Sequence, residues 1–421
     1  MKPQTSEAFA AFLGLDWADA QHDSCLQAAG TAPREFLRLE HSPEEMNAWV
    51  QTLRTRCNGQ PVAVCLELTK GPIVSALRTY DFLVLFPVNP LTVATYREAF
   101  TPSRAKDDPT DAELQVEILL KHRDKLTPLS PQSPAMRALA PLVEDRRRLV
   151  GDNVRRTNRL TSALTNSFPH VLQWFQEKDT AIFCDFLSRW PTLKAAQLAR
   201  RTTLECFFRA HHVRSADVIT PRLEAIKRAR ALTTDDGVIT PNVLLVQALV
   251  AQLRVTVQAM ADFDNAITQR AQDHPAFPLF DALPGAGAVF APRLLVAFGA
   301  QRERSASAAA RQKYAGIAPV TERRGKQSWV HWRWQCPTFL RQTCVEWAAE
   351  SIRHAFWAQV YSQQQRDKGK AHQAAVRAVA FTWIRILYRC WQDRTPYDES
   401  TSLQALHRRG SSLMQNLAKA S

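Results

Sequence analysis

The sequence predicts a mixed α/β domain at the amino end, followed by a mostly helical remainder. Three short apolar strands come first, at 10–18, 22–30 and 34–40, and the last two are expected to pair antiparallel. After residue 42 strands alternate with helices, and from about residue 135 the pattern is mostly helical. A chain of 421 residues is long enough for two or three domains.

The helix after the third strand has the clearest boundary signals. Ser42 is placed as its N-cap, Pro43 in its first turn and Glu45 as the partner in a capping box, and the helix stops before Asn58-Gly59. The domain continues with strands at 61–68 and 82–88 and with helices through 75–77, around 91–99 and from Pro109. A three-stranded meander followed by parallel strands joined through helices is the order of an RNase H-like (RuvC-like) fold.

Proline and aromatic signals divide the rest of the chain. Pro128, Pro131 and Pro134 mark a linker, and the basic helix at 135–165 contains Pro141 as a restart or kink. The predicted divisions are an α/β domain at 1–128, a linker and helical or coiled-coil region at 129–275, a mostly helical second domain at 276–410, and a flexible tail at 411–421.

A long helix predicted at 242–270 carries a heptad seam. One seam position is filled by Val246, Leu253, Met260 and Ile267, and the other by Leu249, Thr256 and Phe263. The seam packs either against the basic helix of the same chain or against a second copy in a dimeric coiled coil. The sequence favours neither alternative over the other.

The charge balance favours a polyanionic partner. The net charge is +14 and the pI is near 9.7, so nucleic acid is the leading candidate and a membrane surface the weaker one. No apolar run is expected to span a bilayer, and MKPQTSEAF lacks the features of a signal peptide. The eight Cys residues include no CxxC pair, which indicates reduced thiols in a cytosolic protein. The expected location is the bacterial cytoplasm, in association with the nucleoid.

Four acidic residues fall where this fold brings carboxylates together. Asp16 lies near the end of the first strand, Glu67 ends a later strand, and Asp108 and Asp111 open the helix in KDDPTDAELQVEILL. Carboxylates are the ligands that Mg²⁺ prefers, and a pair of such ions can clamp the attacking and leaving oxygens of a phosphodiester. The helix-start pair has an ordinary alternative, with Asp108 as N-cap and Asp111 near the free N–H groups.

Nucleic-acid contacts are predicted on the basic helix, on a glycine-rich turn and beside a group of tryptophans. The residues are Arg146, Arg147, Arg148, Arg155, Arg156 and Arg159, then Gly285 and Gly287 of LPGAG, then Arg323, Arg324, Lys326 and Arg333. The arginines suit phosphates, the turn exposes N–H groups, and tryptophans stack on bases. The alternatives are a solvated basic face and a plain tight turn. Trp347, Trp357 and Trp383 lie in amphipathic helices and are predicted as core residues instead.

Taken together, these motifs resemble a known family. GLDWA…HD, LELTKGP, FPVNP and KDDPTDA are similar to the amino-terminal DEDD domain of the IS110 insertion-sequence transposases. LPGAG…YAGIAPVTERRGKQS…FLRQT is similar to the carboxy-terminal transposase domain of that family. The resemblance covers about 10 to 405, with the motifs in the expected order.

The resemblance implies a DNA recombinase that moves its own element. It implies that Asp16, Glu67, Asp108 and Asp111 hold Mg²⁺, and that the carboxy-terminal domain supplies a serine nucleophile. It also implies guidance by a non-coding bridge RNA that pairs with donor and target DNA. The implied assembly is a dimer or tetramer in which one protomer's acids meet another's serine.

The chain departs from the family at that serine. Relatives carry Ser-Gly after the stretch similar to APVTER, where this chain has Arg324-Gly325. Ser328 is the nearest substitute, although a loop hydroxyl bonded to the backbone is an equal alternative. Ser305 and Ser307 also compete, but they are better explained as residues that start a helix at 308–314.

Three hypotheses follow from the sequence. The first is an RNA-guided recombinase that uses Mg²⁺ and a serine nucleophile. The second is a RuvC-type, structure-selective endonuclease that uses water and no guide. The third is a nucleic-acid-binding protein that has kept the fold without catalysis.

Overall fold

The computed structural model describes residues 9–18, 20–100, 108–129, 133–299, 302, 305–331, 333–408 and 410, and the side chains of Phe100 and Asp108 lie outside this description. Three predictions therefore concern parts that are not described: the tail at 411–421, Pro131 of the linker, and the carboxylate of Asp108. The chain divides into two compact units, Met1–Gln132 and Ser133–Ser421. The finer domain limits predicted above remain predictions.

The first unit contains the predicted alternation of strands and helices. Its elements are β1 (Ala11–Trp17), β2 (Gln21–Ala28), β3 (Glu35–Glu40), α1 (Pro43–Arg56), β4 (Val62–Leu66), α2 (Pro72–Leu77), β5 (Leu83–Pro87), α3 (Pro90–Phe100), α4 (Asp108–His122) and a short 3₁₀ helix (Arg123–Lys125). Every strand and helix predicted for this part of the sequence is confirmed. The capping signal acts as expected, because Ser42 Oγ accepts from the N–H of Glu45 at 3.1 Å.

The strands of the first unit form one sheet in the order β3-β2-β1-β4-β5. β1 pairs antiparallel with β2, and β2 pairs antiparallel with β3. β1 pairs in parallel with β4, and β4 pairs in parallel with β5. The predicted antiparallel pairing of the second and third strands is therefore confirmed, and the sheet is mixed.

Helices cover both faces of this sheet because apolar side chains alternate along the strands. On one face Leu13 and Leu15 of β1 join Val64 and Leu66 of β4 in a core with α1 and α2. On the other face Ala63 and Cys65 of β4 pack with α3 and α4. The positions of β1 and β4 that follow Leu15 and Leu66 are therefore expected on the α4 face.

The second unit is helical apart from one hairpin. Its elements are α5 (Pro134–Ser167), α6 (Val171–Trp174), α7 (Ala181–Arg189), α8 (Leu193–Leu198), α9 (Arg201–Ala210), α10 (Ala216–Arg228), α11 (Asp236–Gln272), α12 (Phe277–Asp281), α13 (Gly287–Phe298), α14 (Ala308–Tyr314), β6 (Val320–Arg324), β7 (Gln327–His331), α15 (Thr338–Ser351), α16 (Phe356–Asp367), α17 (His372–Asp393) and α18 (Glu399–Arg408). α5 runs through Pro141 as one helix, so the chain does not restart there.

The heptad seam of α11 packs within the chain. Its first half, with Val246 and Leu253, joins the second half of α5 and the helices α6 to α10 in one core. Its second half, with Ile267, joins the first half of α5 in another core. The two long helices are therefore antiparallel, and the intramolecular alternative accounts for the seam.

The expectation that no apolar run is long enough to span a bilayer is wrong for α11. Among the described residues, α11 is long and apolar enough to span a bilayer, judged by its length and composition alone. The physical reason is that it carries apolar side chains beyond its seam: Leu244 and Val255 are exposed, while the seam residues Val246 and Leu253 are buried.

Tryptophans form the core of the carboxy-terminal helices. Trp347, Trp357 and Trp383 are almost completely buried, so their predicted core role is confirmed. Each indole N–H donates to a protein oxygen: to the carbonyl of Pro284 at 3.0 Å, to the hydroxyl of Tyr397 at 3.0 Å and to Ser351 Oγ at 2.7 Å. These bonds fix the rings because a buried donor without a partner is costly.

Candidate metal and nucleic-acid site

Asp16 and Glu67 are brought side by side by the pairing of β1 with β4. The parallel register ends with Leu15 opposite Leu66, so Asp16 is the next residue along β1 and Glu67 is the next residue along β4. Adjacent strands lie about 4.8 Å apart, so these two residues are neighbours at the carboxyl ends of their strands. Both side chains are half-buried, and both already make interactions within the protein.

The start of α4 lies over the same end of β1. Gly14 is so close to the backbone of Ala112 that a Cβ atom would overlap its carbonyl oxygen. One turn further along α4, Val116 forms a small cluster with Ala112 and Cys25, and Phe12 of β1 packs against this cluster. Two residues of a strand span about the same length as four residues of a helix. We therefore expect the same step in the other direction to bring the backbone of Asp108 level with Asp16.

Gln115 fixes this contact between helix and strand. Its side chain is fully buried, and its Oε1 accepts from the backbone N–H of Leu15 at 2.8 Å. Among the described residues its Nε2 is buried without a hydrogen-bond partner. Gln115 therefore ties α4, one turn after Asp111, to the residue that precedes Asp16.

Asp111 is buried against an arginine of α3. Only 3% of its side chain is exposed, and Oδ1 accepts from Arg97 Nε at 2.8 Å and also from an Nη group. A buried carboxylate needs such a partner because the cost of removing an unpaired charge from water is large. No local sequence pattern pointed to Arg97, because the pair joins two helices.

The acids fit a hard cation by their donor chemistry, since all of them offer carboxylate oxygens. Among the described residues, no group of three or more His, Cys, Asp or Glu side chains is arranged to hold a metal ion. That set does not include the carboxylate of Asp108. Asp111 is bound to Arg97, so a metal at this end of the sheet would have to share Asp111 with the guanidinium group.

The carboxy-terminal segment expected to supply a serine forms an exposed hairpin. The sequence-based description of this region as mostly helical did not include it. Arg324 pairs with Gln327 around a two-residue turn, and Gly325 has a φ of +58°, which glycine accepts without strain. Ser328 lies in strand β7 directly opposite Arg323, so it is not a loop residue.

Ser305 and Ser307 have structural roles. Ser307 is the N-cap of α14 (Ala308–Tyr314), and its hydroxyl accepts from the N–H of Ala310 at 3.1 Å, as predicted. Ser305 is not a cap. It is buried, and its hydroxyl lies 3.4 Å from the guanidinium of Arg311.

Comparison with known proteins identifies the family. A DEDD-type transposase model of the IS110 group matches residues 13–169, and the model "Transposase IS116/IS110/IS902 family" matches residues 278–363. This chain belongs to the IS110 family of transposases. Membership makes it a DNA transposase, and the DEDD type indicates divalent-metal dependence in general.

Individual relatives extend over most of the transposase. The IS117 mini-circle protein of Streptomyces coelicolor, which carries a transposase name, is 28% identical over 95% of this chain and 98% of its own length. The 42 kDa protein of insertion element IS900 from Mycobacterium paratuberculosis is 27% identical over 74% of this chain and 71% of its own. The 43.6 kDa protein of insertion element IS110 from Streptomyces coelicolor is 24% identical over 70% and 73%.

Most arginines of α5 are engaged within the transposase. Arg146 forms a bidentate ion pair with Asp264 of α11, with N···O distances of 2.9 and 3.0 Å. Arg147 donates a hydrogen bond to the side-chain oxygen of Gln342 of α15 at 2.7 Å. The other pairs lie along α5 itself, from Arg148 to Glu144 and Asp145 and from Arg155 and Arg156 to Asp152. Arg159 is exposed, and of the predicted arginines on α5 it is the one with neither an ion pair nor a side-chain hydrogen bond to the described residues.

The glycine-rich turn and the hairpin differ in how open they are. Gly285 has a φ of +68° and packs under His354 and Glu350, whereas Gly287, at +47°, has open space beside it. Arg323, Arg324 and Lys326 are all exposed, and Arg333 is half-buried. Trp329 and Trp334, near these cations, are 42% and 79% exposed, unlike the core tryptophans.

Proposed function

We propose that this IS110-family transposase cuts and exchanges DNA strands at a Mg²⁺ site made by Asp16, Glu67, Asp108 and Asp111. The observation that supports the proposal is the register of β1 and β4, which makes Asp16 and Glu67 neighbours, together with the close contact of α4 with β1 at Gly14. The strand order β3-β2-β1-β4-β5 supports an RNase H-like domain within about 1–128, followed by the predicted helical region and transposase domain.

Each acid has a role that its position supports. Asp16 and Glu67 are neighbours on adjacent strands, so both would bind ions between them, and Asp108 would close the site from the start of α4. Asp111 would hold Arg97 in place and share one oxygen with an ion. When bound, Mg²⁺ would polarise the scissile phosphate and neutralise its developing charge.

Removal of the metal tests the proposed Mg²⁺ site. Chelation is expected to abolish strand cleavage by the full-length protein while leaving its circular-dichroism spectrum and unfolding temperature nearly unchanged, because four hydrophobic cores do not depend on the ion. Addition of Mg²⁺ should restore cleavage. Wholesale unfolding on chelation would contradict the proposal.

We further propose Ser328 as the nucleophile in place of the serine that relatives carry at position 324. Its hydroxyl is exposed, and it lies opposite Arg323, whose guanidinium group suits a phosphate. In this step Ser328 Oγ would bond to phosphorus, the bond to the departing strand would break, and the hydroxyl proton would pass to the departing oxygen. The covalent phosphoserine would keep the bond energy for rejoining.

A covalent adduct is the readout for Ser328. The full-length protein is incubated with a suicide DNA substrate and separated under denaturing conditions, and Ser328→Ala is expected to lose the trapped complex. Ser305→Ala and Ser307→Ala serve as matched controls, because their hydroxyls have structural roles. Normal cleavage and joining by Ser328→Ala would refute this assignment.

A guide RNA and an oligomer belong to the same proposal. The net charge of +14 and the exposed cations of the hairpin support a second polyanion besides DNA. RNA transcribed from the flanking non-coding DNA should co-purify with the protein and be required for cleavage. If the active form is a dimer or tetramer with composite sites, a mixture of inactive Asp16→Asn and Ser328→Ala variants should recover activity.

The Arg324-Gly325 departure also supports a second candidate, a RuvC-type endonuclease that uses water. This candidate predicts Mg²⁺-dependent cleavage without a covalent adduct, without strand joining and without an RNA requirement. The adduct assay separates the two. A third candidate, a scaffold without catalysis, predicts that wild type and Asp16→Asn are equally inactive while both still bind nucleic acid.

The nucleic-acid contacts are best tested where the arginines are free of intramolecular roles. Neutralising Arg159 should weaken DNA or RNA binding and lower its salt dependence. Neutralising Arg146 would also break its pair with Asp264, so a loss of binding there must be compared with Asp264→Asn. The glycine-rich turn is tested by measuring nucleic-acid binding of Gly287→Ala. An added Cβ atom would meet no neighbouring atom there, so the substitution strains only the backbone of the turn.

A further inference from the structure

A single row of charged residues crosses the sheet at the level of the proposed metal site. The strand registers set Arg38 of β3 opposite Asp23 of β2, and Asp23 opposite Asp16 of β1. Glu67 follows at the end of β4 in the same row. Directly paired residues of neighbouring strands point to the same face, so all four belong to the α4 face.

Asp23 adds a further carboxylate beside Asp16. Two like charges at directly opposite positions destabilise a sheet unless a cation compensates them. Arg38 supplies that charge, because its Nε donates to Asp23 Oδ1 at 3.2 Å. Asp23 is largely covered, with 15% of its side chain exposed, whereas Arg38 is 61% exposed.

The pair leaves most donors of Arg38 available. A guanidinium group has five N–H donors, and the bond to Asp23 uses only the one on Nε. Among the described residues no acceptor is recorded for its Nη1 and Nη2 groups, which together suit two oxygens of one phosphate. Arg34, on the same side of the sheet, differs because it is committed to Glu113 and Glu117.

The spacing matches a nucleic-acid strand that runs past the acids. Neighbouring strands lie about 4.8 Å apart, so the Cα atom of Arg38 is roughly 10 Å from that of Asp16. An arginine on the edge strand can therefore reach a phosphate close to the one that is cut. Phe36 lies on the same face of β3 and is 53% exposed, so it offers an apolar contact to a sugar or base.

We propose that Arg38, held by Asp23, binds the backbone of the DNA strand beside the scissile phosphate. Asp23 is a positioning residue: it orients the guanidinium group and is not needed to hold metal. This inference rests on the proposed function, because it assumes that the cleaved strand lies at the acidic end of the sheet. It adds a DNA contact on the β3 side that the four acids do not provide.

The binding test uses the full-length protein in an Asp16→Asn background, so that no cleavage occurs. The probe is a labelled DNA duplex that spans one end of the insertion sequence, with the flanking transcript present. Arg38→Ala is expected to raise the dissociation constant roughly tenfold and to lower the salt slope by about one. Arg38→Lys should bind more tightly than Arg38→Ala but less tightly than the parent protein, because lysine keeps the charge and loses the bidentate geometry.

Arg54 provides a matched control. It is also an exposed arginine paired with an aspartate at 3.2 Å, but it lies on α1, against the opposite face of the sheet. Arg54→Ala should leave both the dissociation constant and the salt slope unchanged. If Arg38→Ala binds as tightly as Arg54→Ala, the inference is wrong.

Cleavage kinetics distinguish positioning from metal binding at Asp23. Asp23→Asn is expected to raise KM for DNA severalfold while kcat and the Mg²⁺ concentration for half-maximal rate stay the same. An increase in the required Mg²⁺ concentration would make Asp23 a metal ligand and overturn the positioning role. If wild type and Asp16→Asn cleave equally, the proposed function fails, whereas the binding test of Arg38 still gives its own result.

Discussion

Gly14 of β1 and Ala112 of α4 are in direct backbone contact, with no room for a side chain between them. A Cβ atom on Gly14 would overlap the carbonyl oxygen of Ala112 and come within 3.0 Å of the Cβ atom of Gln115. The contact lets α4 approach the sheet closely enough for Gln115 to reach the N–H of Leu15. The proposed metal site therefore depends on a residue that carries no functional group.

Gly14→Ala tests this dependence. The added methyl group must push α4 away from β1, which is expected to lower the free energy of unfolding by about 1–3 kcal/mol. The rate of DNA cleavage by the folded protein should fall strongly as well, because Asp108 and Asp111 move away from β1 with the helix. Gly151→Ala is the control: it lies in α5 and meets only Arg155 at 3.5 Å, so stability should stay the same or rise. Full activity in a folded Gly14→Ala protein would contradict the geometry.

The Asp111–Arg97 pair predicts a metal-dependent stability. Arg97→Ala leaves a buried carboxylate without its partner, which is expected to cost about 3–5 kcal/mol of unfolding free energy in the presence of a chelator. If Asp111 also binds an ion, Mg²⁺ should recover part of this loss in chemical denaturation. Arg54→Ala, which breaks an exposed pair, should cost less than about 1 kcal/mol and show no such recovery. Equal losses with and without Mg²⁺ would exclude Asp111 as a ligand.

The buried His22 predicts a loss of stability in mild acid. Burial, followed by the charge of His41, lowers the pKa of His22, which stacks on Trp17 at 4.4 Å. The unfolded chain therefore binds a proton more readily, near its ordinary pKa of about 6.5. The contribution to stability is complete above that pH and is lost as the pH falls below it, by up to about 1.4 kcal/mol per pH unit.

Denaturation curves between neutral and mildly acidic pH measure this effect. His22→Phe keeps a ring beside Trp17 but cannot be protonated, so its stability should depend less on pH than that of the wild type. The same slope in both proteins would show that another group is responsible.

The thiols predict a simple pattern of alkylation. Burial raises the pKa of Cys25 to about 11 and the pKa values of Cys65 and Cys344 to about 12. Thiolates are the reactive form, so these residues should resist iodoacetamide at neutral pH, while the exposed Cys206 reacts first. Peptide mass spectrometry checks the order. Early modification of Cys65 would mean that β4, and with it Glu67, is more accessible than the fold allows.

The sequence predicted the sheet of the first unit because its signals are local. Alternating apolar residues marked the strands, and Ser42, Pro43 and Glu45 marked the start of α1. The start of α4 was predicted by Pro109 in the same way. The neighbourhood of Asp16 and Glu67 followed from the strand order, because parallel strands end at the same edge of a sheet.

The sequence did not predict the partners of the charged residues. Arg97 lies on a different helix from Asp111, and Arg146 reaches Asp264 across more than a hundred residues of chain. Such pairs depend on how helices pack, which no local pattern encodes. The hairpin β6–β7 was missed because its strands are short, charged and exposed, although the single Gly325 between two such segments was an available turn signal.

Metal-dependent cleavage by carboxylate variants tests the central claim most directly. Strand cleavage is measured over a range of Mg²⁺ concentrations for wild type, Asp16→Asn, Glu67→Gln, Asp108→Asn and the control Asp81→Asn, whose carboxylate is largely exposed and paired with Arg54. We predict that the first three variants lose cleavage while remaining folded, and that the control behaves as the wild type. Wild-type cleavage by Asp16→Asn or Glu67→Gln would contradict a metal site at this end of the sheet.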